Sequence, residues 1–259
     1  MSETRIHPSA VVHEKAQLGT GCEIGPFCVI GEHVRLGDAC KLHSHVVIDG
    51  HTELGSGNDI YPFAALGLKT QDLKWKGGTT YTRIGDNNTF RENVTVHSAT
   101  NDSDATVIGS NNSILAYCHI AHDCQLGNSI VMSNVATLAG HVTVEDCAII
   151  GGLAAVHQFC RIGTMAIIGG CSKVVQDVPP YMLADGNPAA TKTVNKEGLR
   201  RNSVAEDAQT ALRQAFKLLF REKLTISNAI ERIEAEVANG AEVAHLLAFV
   251  KSSERGIGK

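Results

Sequence analysis

Reading every sixth residue from Ile6 to Val174 returns an apolar side chain at every step except Asp72, Gly78 and Asp102. From Ile108 to Val174 the run is unbroken, and all but Met132 are Ile, Leu or Val. A period of six matches neither the helical repeat nor the simple strand alternation. It is the sequence signature of a parallel β-helix, in which one short strand and one corner consume six residues and three such sides close a coil. Four residues after each apolar position sits a small or slender side chain, as at Ala10, Cys22, Cys28, Cys40, Ala64, Cys118, Cys124, Ala136, Ala154 and Cys160. The branched residue fills the coil and the small one sits where the interior narrows. One residue after the apolar position there is often Gly, as at Gly19, Gly25, Gly37, Gly127 and Gly163, and the sequence explains these by the backbone freedom that a tight corner needs.

Composition removes several classes. A net charge of -4 over 259 residues argues against a nucleic-acid protein. The start, Met1-Ser-Glu-Thr-Arg-Ile-His-Pro8, is polar and no apolar run is long enough to span a membrane, so the chain reads as soluble and cytoplasmic. Of the eight Cys, six fall in the small-residue column and none forms a C-x-x-C pair. They read as buried, reduced small hydrophobes rather than a disulfide framework or zinc motif.

Two stretches interrupt the hexads. The first is a loop over 67–83 that holds the single Trp and brings Asp72, Lys74 and Trp75 together. Insertions that leave a solenoid are candidate functional loops, and this one is read so in preference to a solvated elbow. The second, Ser98–Thr106, reads as a polar surface loop with no assigned chemistry. The repeat ends after Val174, at Asp177-Val-Pro-Pro-Tyr181. The chain then divides into a β-helix over 1–190 and a helical domain over 191–259. Ser203, with Glu206 three residues on, predicts an N-cap and capping box for a helix over Val204–Lys223. Further helices are predicted over Ile226–Val237 and Ala241–Ser252. Arg213, Lys217 and Arg221 recur at a spacing of four and make a basic stripe, either a solvated face or a dock for an acidic partner.

His122, His141 and His157 belong to hexads that start one coil apart, so the register predicts a ladder of imidazoles on one side of successive coils, with His119 near the same corner. Three readings stand: satisfied surface or corner histidines, a zinc site, or a general base, since His titrates near neutral pH.

The block His119-Ile-Ala-His122-Asp123-Cys124 with Leu138-Ala-Gly-His141-Val142, Val156-His-Gln-Phe-Cys160, Gln71-Asp-Leu-Lys74, Asp177-Val-Pro-Pro-Tyr181 and Asn195-Lys-Glu-Gly-Leu-Arg-Arg201 closely resembles the acyl-carrier-protein-dependent UDP-N-acetylglucosamine O-acyltransferases of lipid A biosynthesis. The resemblance covers nearly the whole chain. It implies a mainly β protein, a left-handed parallel β-helix of hexapeptide repeats followed by a small C-terminal α-helical domain. The left hand comes from the resemblance alone, because the general rule for parallel crossovers is right-handed. It further implies a homotrimer with active sites between subunits, and transfer of an (R)-3-hydroxyacyl chain from acyl carrier protein to the glucosamine 3-hydroxyl of UDP-N-acetylglucosamine, the first step of lipid A biosynthesis. No metal and no cofactor is implied, the acyl group arriving on the carrier's phosphopantetheine.

By the same matching, His122 is the general base, Asp123 a plausible orienter of an imidazole, and Gly140 the source of a backbone N–H for the oxyanion. Adjacent strand residues point to opposite faces, so pairing of His122 with Asp123 requires a corner or a neighbouring subunit. Asp72, Lys74, His119, His141, His157 and Gln158 resemble sugar and acyl contacts. Asn195, Glu197 and Arg201 resemble the uridine and pyrophosphate contacts, Gly170 the position that limits acyl length, and Arg213, Lys217 and Arg221 the dock for the carrier protein. An open Gly at 170 implies a longer acyl chain, around fourteen carbons in family terms. The chain departs from the family at Ser98-Ala99, where Arg-Gly is common, and at Asn202, where a second Arg is common; both departures remove positive charge. Relatives that acylate a 3-amino sugar leave the sugar variant open. The alternative readings are a zinc-dependent β-helix enzyme of the carbonic anhydrase class, a non-catalytic β-helix module such as the ice-binding ones (whose Thr ladders are absent here), and an N-acyltransferase later in the pathway, which carries a further N-terminal domain.

Overall fold

The computed structural model describes residues 3–259. Short strands, mostly of two residues and mostly ending on a residue of the sixfold column, stack into three sheets of eleven, nine and eight strands, parallel throughout the coils, where each strand pairs with the one three sides further along the chain. The result is a left-handed parallel β-helix. The right-handed rule for crossovers rests on strand twist feeding a connection, and strands only two residues long carry little twist to transmit.

The column residues point inward. Ile48, Ile60, Leu66, Phe90, Ile114, Ile120, Met132 and Leu138 have no exposed surface. Neither do the small partners Cys22, Cys28, Cys40, Cys118, Cys124, Ala136 and Cys160, so the two columns make one continuous core. All eight cysteines are free thiols, with only Cys147 half-buried and Cys171 exposed. Burial pushes the Cys124 thiol up to about 12 and those of Cys118 and Cys160 to about 11. Within the same small column, Asn58, Asn88 and Asn112 form a buried ladder whose amides bond one another and the corner carbonyls.

The corners correct the sequence reading of glycine. The residue that adopts the left-handed conformation is, at most corners, the third after the inward apolar one, and it is mostly not Gly: Phe27 (φ 58), Phe63 (φ 63), Asp123 (φ 61), Val135 (φ 65), His141 (φ 59) and Phe159 (φ 65). The glycines one residue after the apolar position are demanded by space. A Cβ on Gly19 would lie 2.5 Å from the carbonyl carbon of Gly37, and one on Gly25 would lie 2.6 Å from the carbonyl oxygen of His43. Coils stack too closely there for a side chain.

The last strands, Met182–Gly186 and Ala189–Val194, form an antiparallel pair that extends the eleven-stranded sheet across residue 190. Four helices follow: α1 (Lys196–Arg201), α2 (Glu206–Phe220), α3 (Ile226–Glu236) and α4 (Ala241–Lys251). They share a second core with Tyr181, Met182 and Val194. Helix α2 starts later than its sequence predicts. Ser203 sits at φ 56 just beyond the end of α1, and Ala205, which offers no capping side chain, precedes α2. The short helix α1 takes the residues that a longer α2 would need.

Candidate active site

The strands His119–Ile120, Thr137–Leu138 and Ala155–Val156 lie side by side in the nine-stranded sheet. Their following corners carry His122 and Asp123, Gly140 and His141, and His157 to Phe159. Because Asp123 is left-handed at φ 61, the chain folds back and two adjacent side chains meet. His122 Nδ1 lies 2.8 Å from Asp123 Oδ2. The corner of a single chain therefore makes the pairing that an extended strand forbids. Asp123 also accepts the Thr100 N–H, 3.2 Å from Oδ2, and its own N–H donates to Thr106 Oγ1 at 2.8 Å. On the other side, Asp123 Oδ2 lies 3.5 Å from His141 Nε2.

This network sets the proton on His122. A bare Nδ1 facing a carboxylate would oppose two lone pairs, so Nδ1 carries the hydrogen and Nε2 is free to accept one. Nε2 faces the inserted loop, 4.0 Å from Asp72 Oδ2. Asp72 is fixed in turn: it accepts the Lys74 N–H at 2.9 Å, and that bond chiefly holds its carboxyl below the usual range. Gly140 packs on the ring of His122, where a Cβ would come within 2.3 Å of Cε1 and 2.5 Å of Nε2. The Gly140 N–H donates to no acceptor among the described residues.

The predicted histidine ladder holds for two of its three rungs. His122 and His141 meet edge to face at 5.3 Å, but the ring stacked on His141 is Phe159, at 4.6 Å. His157 is two residues earlier in its corner and faces solvent, its Nδ1 3.2 Å from the Gln158 carbonyl. The hexad starts match but the positions within the hexads do not, so the rings diverge. His119 lies one strand residue before the corner, 2.8 Å from Thr95 Oγ1. Burial, then the neighbouring His97 and His122, depresses it to about 4, so it is neutral at physiological pH.

The remaining candidates lie apart from this corner. Asn195 caps α1, accepting the Gly198 N–H at 3.0 Å while its Nδ2 donates to Met165 O at 2.8 Å. Glu197 pairs with Arg200 at 2.9 Å, whereas Arg201 is exposed without an ion pair among the described residues. Gly170 is exposed, with only the Gly152 carbonyl near a built Cβ, at 3.3 Å. In the basic stripe Lys217 is exposed, Arg213 bonds Thr210 Oγ1, and Arg221 donates to the Lys192 carbonyl at 2.7 Å. The sequence reading missed Thr70 and Thr100. Ser98, Ala99 and Thr100 are 4%, 0% and 6% exposed, so the first part of the stretch read as an inert surface loop is in fact buried against the site.

A left-handed hexad solenoid with a His–Asp couple on one corner and a helical domain at its end is the architecture of the hexapeptide-repeat acyltransferases. The family model described as Udp N-acetylglucosamine O-acyltransferase, domain 2, matches residues 177–258. An acyl-[acyl-carrier-protein]–UDP-N-acetylglucosamine O-acyltransferase of Herminiimonas arsenicoxydans is 46% identical over 97% of this chain and 98% of its own. Among solved structures, LpxA from Acinetobacter baumannii superposes with a TM-score of 0.94 at 41% identity, covering 98% of this chain and 99% of that one. The UDP-N-acetylglucosamine acyltransferase LpxA of Bacteroides fragilis gives 0.96 at 36% identity, covering 98% and 100%. The chain belongs to the acyl-[acyl-carrier-protein]–UDP-N-acetylglucosamine O-acyltransferase family.

Proposed function

We propose that this protein transfers an (R)-3-hydroxyacyl chain from acyl carrier protein to the 3-hydroxyl of UDP-N-acetylglucosamine, the first step of lipid A biosynthesis, with His122 as general base. The observation that carries the assignment of the base is the His122–Asp123 couple, which leaves Nε2 as the free acceptor beside Asp72. A sugar hydroxyl is a poor nucleophile near neutral pH, and a positioned base typically contributes about 10²–10⁴-fold. Nε2 takes the hydroxyl proton as the oxygen attacks the thioester carbonyl. The oxyanion is held by the Gly140 N–H. Collapse breaks the C–S bond, and the departing thiolate recovers the proton from His122, giving the ester and the free carrier thiol. No covalent enzyme intermediate and no resident metal is required. The ligand atoms of His122, Asp123 and His141 do lie within 4.8 Å of one another, but the His122–Asp123 hydrogen bond and the packing of His141 against that pair account for the grouping.

The outer surface supports a trimer with sites between subunits. Along the corner after the eleven-stranded sheet, the left-handed positions hold Phe27, Phe63, Tyr117, Val135 and Leu153, all between 41% and 62% exposed. Large side chains in this conformation cost about 1–2 kcal/mol per residue, and their apolar edge matches a second copy of the chain. Asn195, Glu197 and Arg201, which make no hydrogen bond or ion pair with His122 or Asp123 of their own chain, fit the nucleotide end of such a shared site, with Lys74, His141, His157 and Gln158 lining the rest. Lys217, with Arg213 and Arg221 beside it, fits an acidic carrier protein. Among the described residues no helix is long and apolar enough to cross a membrane.

The test is transfer from 3-hydroxyacyl carrier proteins of ten, twelve and fourteen carbons to UDP-N-acetylglucosamine, with the 3-amino analogue in parallel and a chelator arm. Ester formation that survives the chelator is the expected result. Amide formation alone would change the acceptor, and loss of activity on chelation with restoration by zinc would favour the zinc enzyme.

A further inference from the structure

Thr100 occupies a node that the mechanism above does not use. Its Oγ1 lies 3.0 Å from His122 Nδ1 and 3.1 Å from Thr70 Oγ1. Its backbone N–H donates to both carboxylate oxygens of Asp123, at 3.3 and 3.2 Å. Thr70 Oγ1 in turn accepts the N–H of Asp72 at 3.1 Å. One buried residue therefore touches the base and the carboxylate beside it, and through Thr70 it reaches the loop residue that faces the base.

Resting on the reading of His122 as general base, we propose that Thr100 is a positioning residue, whose hydroxyl fixes the tautomer and the aim of the imidazole. His122 Nδ1 has one hydrogen and two acceptors in reach, Asp123 Oδ2 and Thr100 Oγ1. When Thr100 accepts from Nδ1, its own hydrogen is directed away from the ring, toward Thr70 Oγ1 and the Asp72 carboxylate, and the donor chain runs from His122 through Thr100 to the inserted loop. The reverse direction, with Thr100 donating to a bare Nδ1, would set that lone pair against the Asp123 carboxylate. The chain therefore supports only the tautomer with Nε2 free. It also holds the ring at two points on one edge, where Asp123 alone would leave it a pivot. Nε2 sits on the opposite edge, so a small rotation moves it away from a bound hydroxyl, and misplacement of about 1 Å can cost about 10²-fold.

The experiment compares wild type, Thr100→Val, Thr100→Ser and Thr70→Val, with His122→Ala as the baseline, measuring kcat, both KM values and thermal unfolding. Thr100→Val is expected to lower kcat about ten- to a hundredfold with both KM values within about twofold of wild type. Thr100→Ser, which keeps the hydroxyl and loses the methyl, is expected to recover kcat to within about threefold. Should Thr100→Val unfold, Thr70→Val interrupts the same donor chain one step away and is expected to lower kcat in the same manner. A Thr100→Val enzyme with wild-type kcat would overturn the inference, and so would a Thr100→Ser enzyme as impaired as Thr100→Val, which would mark a packing role. If His122→Ala itself remains fully active, the reading of the base has failed; if it is inactive and Thr100→Val is not, only the role of Thr100 has failed.

Discussion

His122 and Asp123 are neighbours in the chain and hydrogen-bonded partners in space, with 2.8 Å between Nδ1 and Oδ2. On an extended strand the two side chains would diverge. The left-handed conformation of Asp123 turns the second back toward the first, and Asp is among the residues that tolerate this conformation best. The couple is thus made by the same corner geometry that most of the coils use.

Removing the base tests this most directly. His122→Ala is expected to keep the β-helix, as read by circular dichroism, and to lose about 10²–10⁴-fold in turnover. Retention of more than a tenth of wild-type turnover would take the role of base away from His122.

Gly140→Ala probes the same ring from behind. The new Cβ would overlap Cε1 and Nε2 of His122, and the ring can yield only by leaving its bond to Asp123. Turnover is expected to fall by about 10²-fold while the fold persists. A Gly140→Ala enzyme with native kcat would show that the ring has another productive position.

Gly170→Met addresses chain length. At Gly170 a built Cβ meets one neighbour, the Gly152 carbonyl oxygen at 3.3 Å, so the substitution needs a small shift of that carbonyl and places its side chain at an exposed position. The preferred acyl chain is expected to shorten in competition assays across ten to fourteen carbons. An unchanged profile would place the end of the acyl groove elsewhere.

The apolar edge is tested by Leu153→Arg. Leu153 is 60% exposed in the single chain, so a charge there should leave one copy folded and disrupt association. Sedimentation is expected to shift from trimer toward monomer, with activity lost alongside. A variant that stays trimeric would move the interface off this edge.

The histidines near the site predict an acid-sensitive fold. His119 is depressed to about 4 from 6.5, mainly by burial, and burial likewise lowers His97. The unfolded chain therefore takes up protons before the folded one does. Stability is expected to be intact above about pH 6.5 and to fall as pH drops toward 4. Denaturant midpoints measured across that window should fall less in His119→Asn than in wild type.

The sequence by itself determined the solenoid, because an inward column repeating every six residues over so long a run leaves no other way to bury it; Ile60, Ile114 and Leu138 sit where the period puts them. It also carried the motif around His122, since those residues lie on regular coils where register can be counted. What only the tertiary structure decided lies off that register. The backbone at Asp123 joins it to His122, and the order within a corner sets Phe159 rather than His157 on His141. The role of the corner glycines depends on the next coil's backbone, which no single hexad contains. Thr100 shows the same limit. It sits in a stretch with no period, and its partners come from two other places in the chain, Thr70 from the inserted loop and His122 with Asp123 from a coil corner. A repeat constrains what repeats, whereas a site is assembled from contacts between segments whose separation in sequence carries no signal.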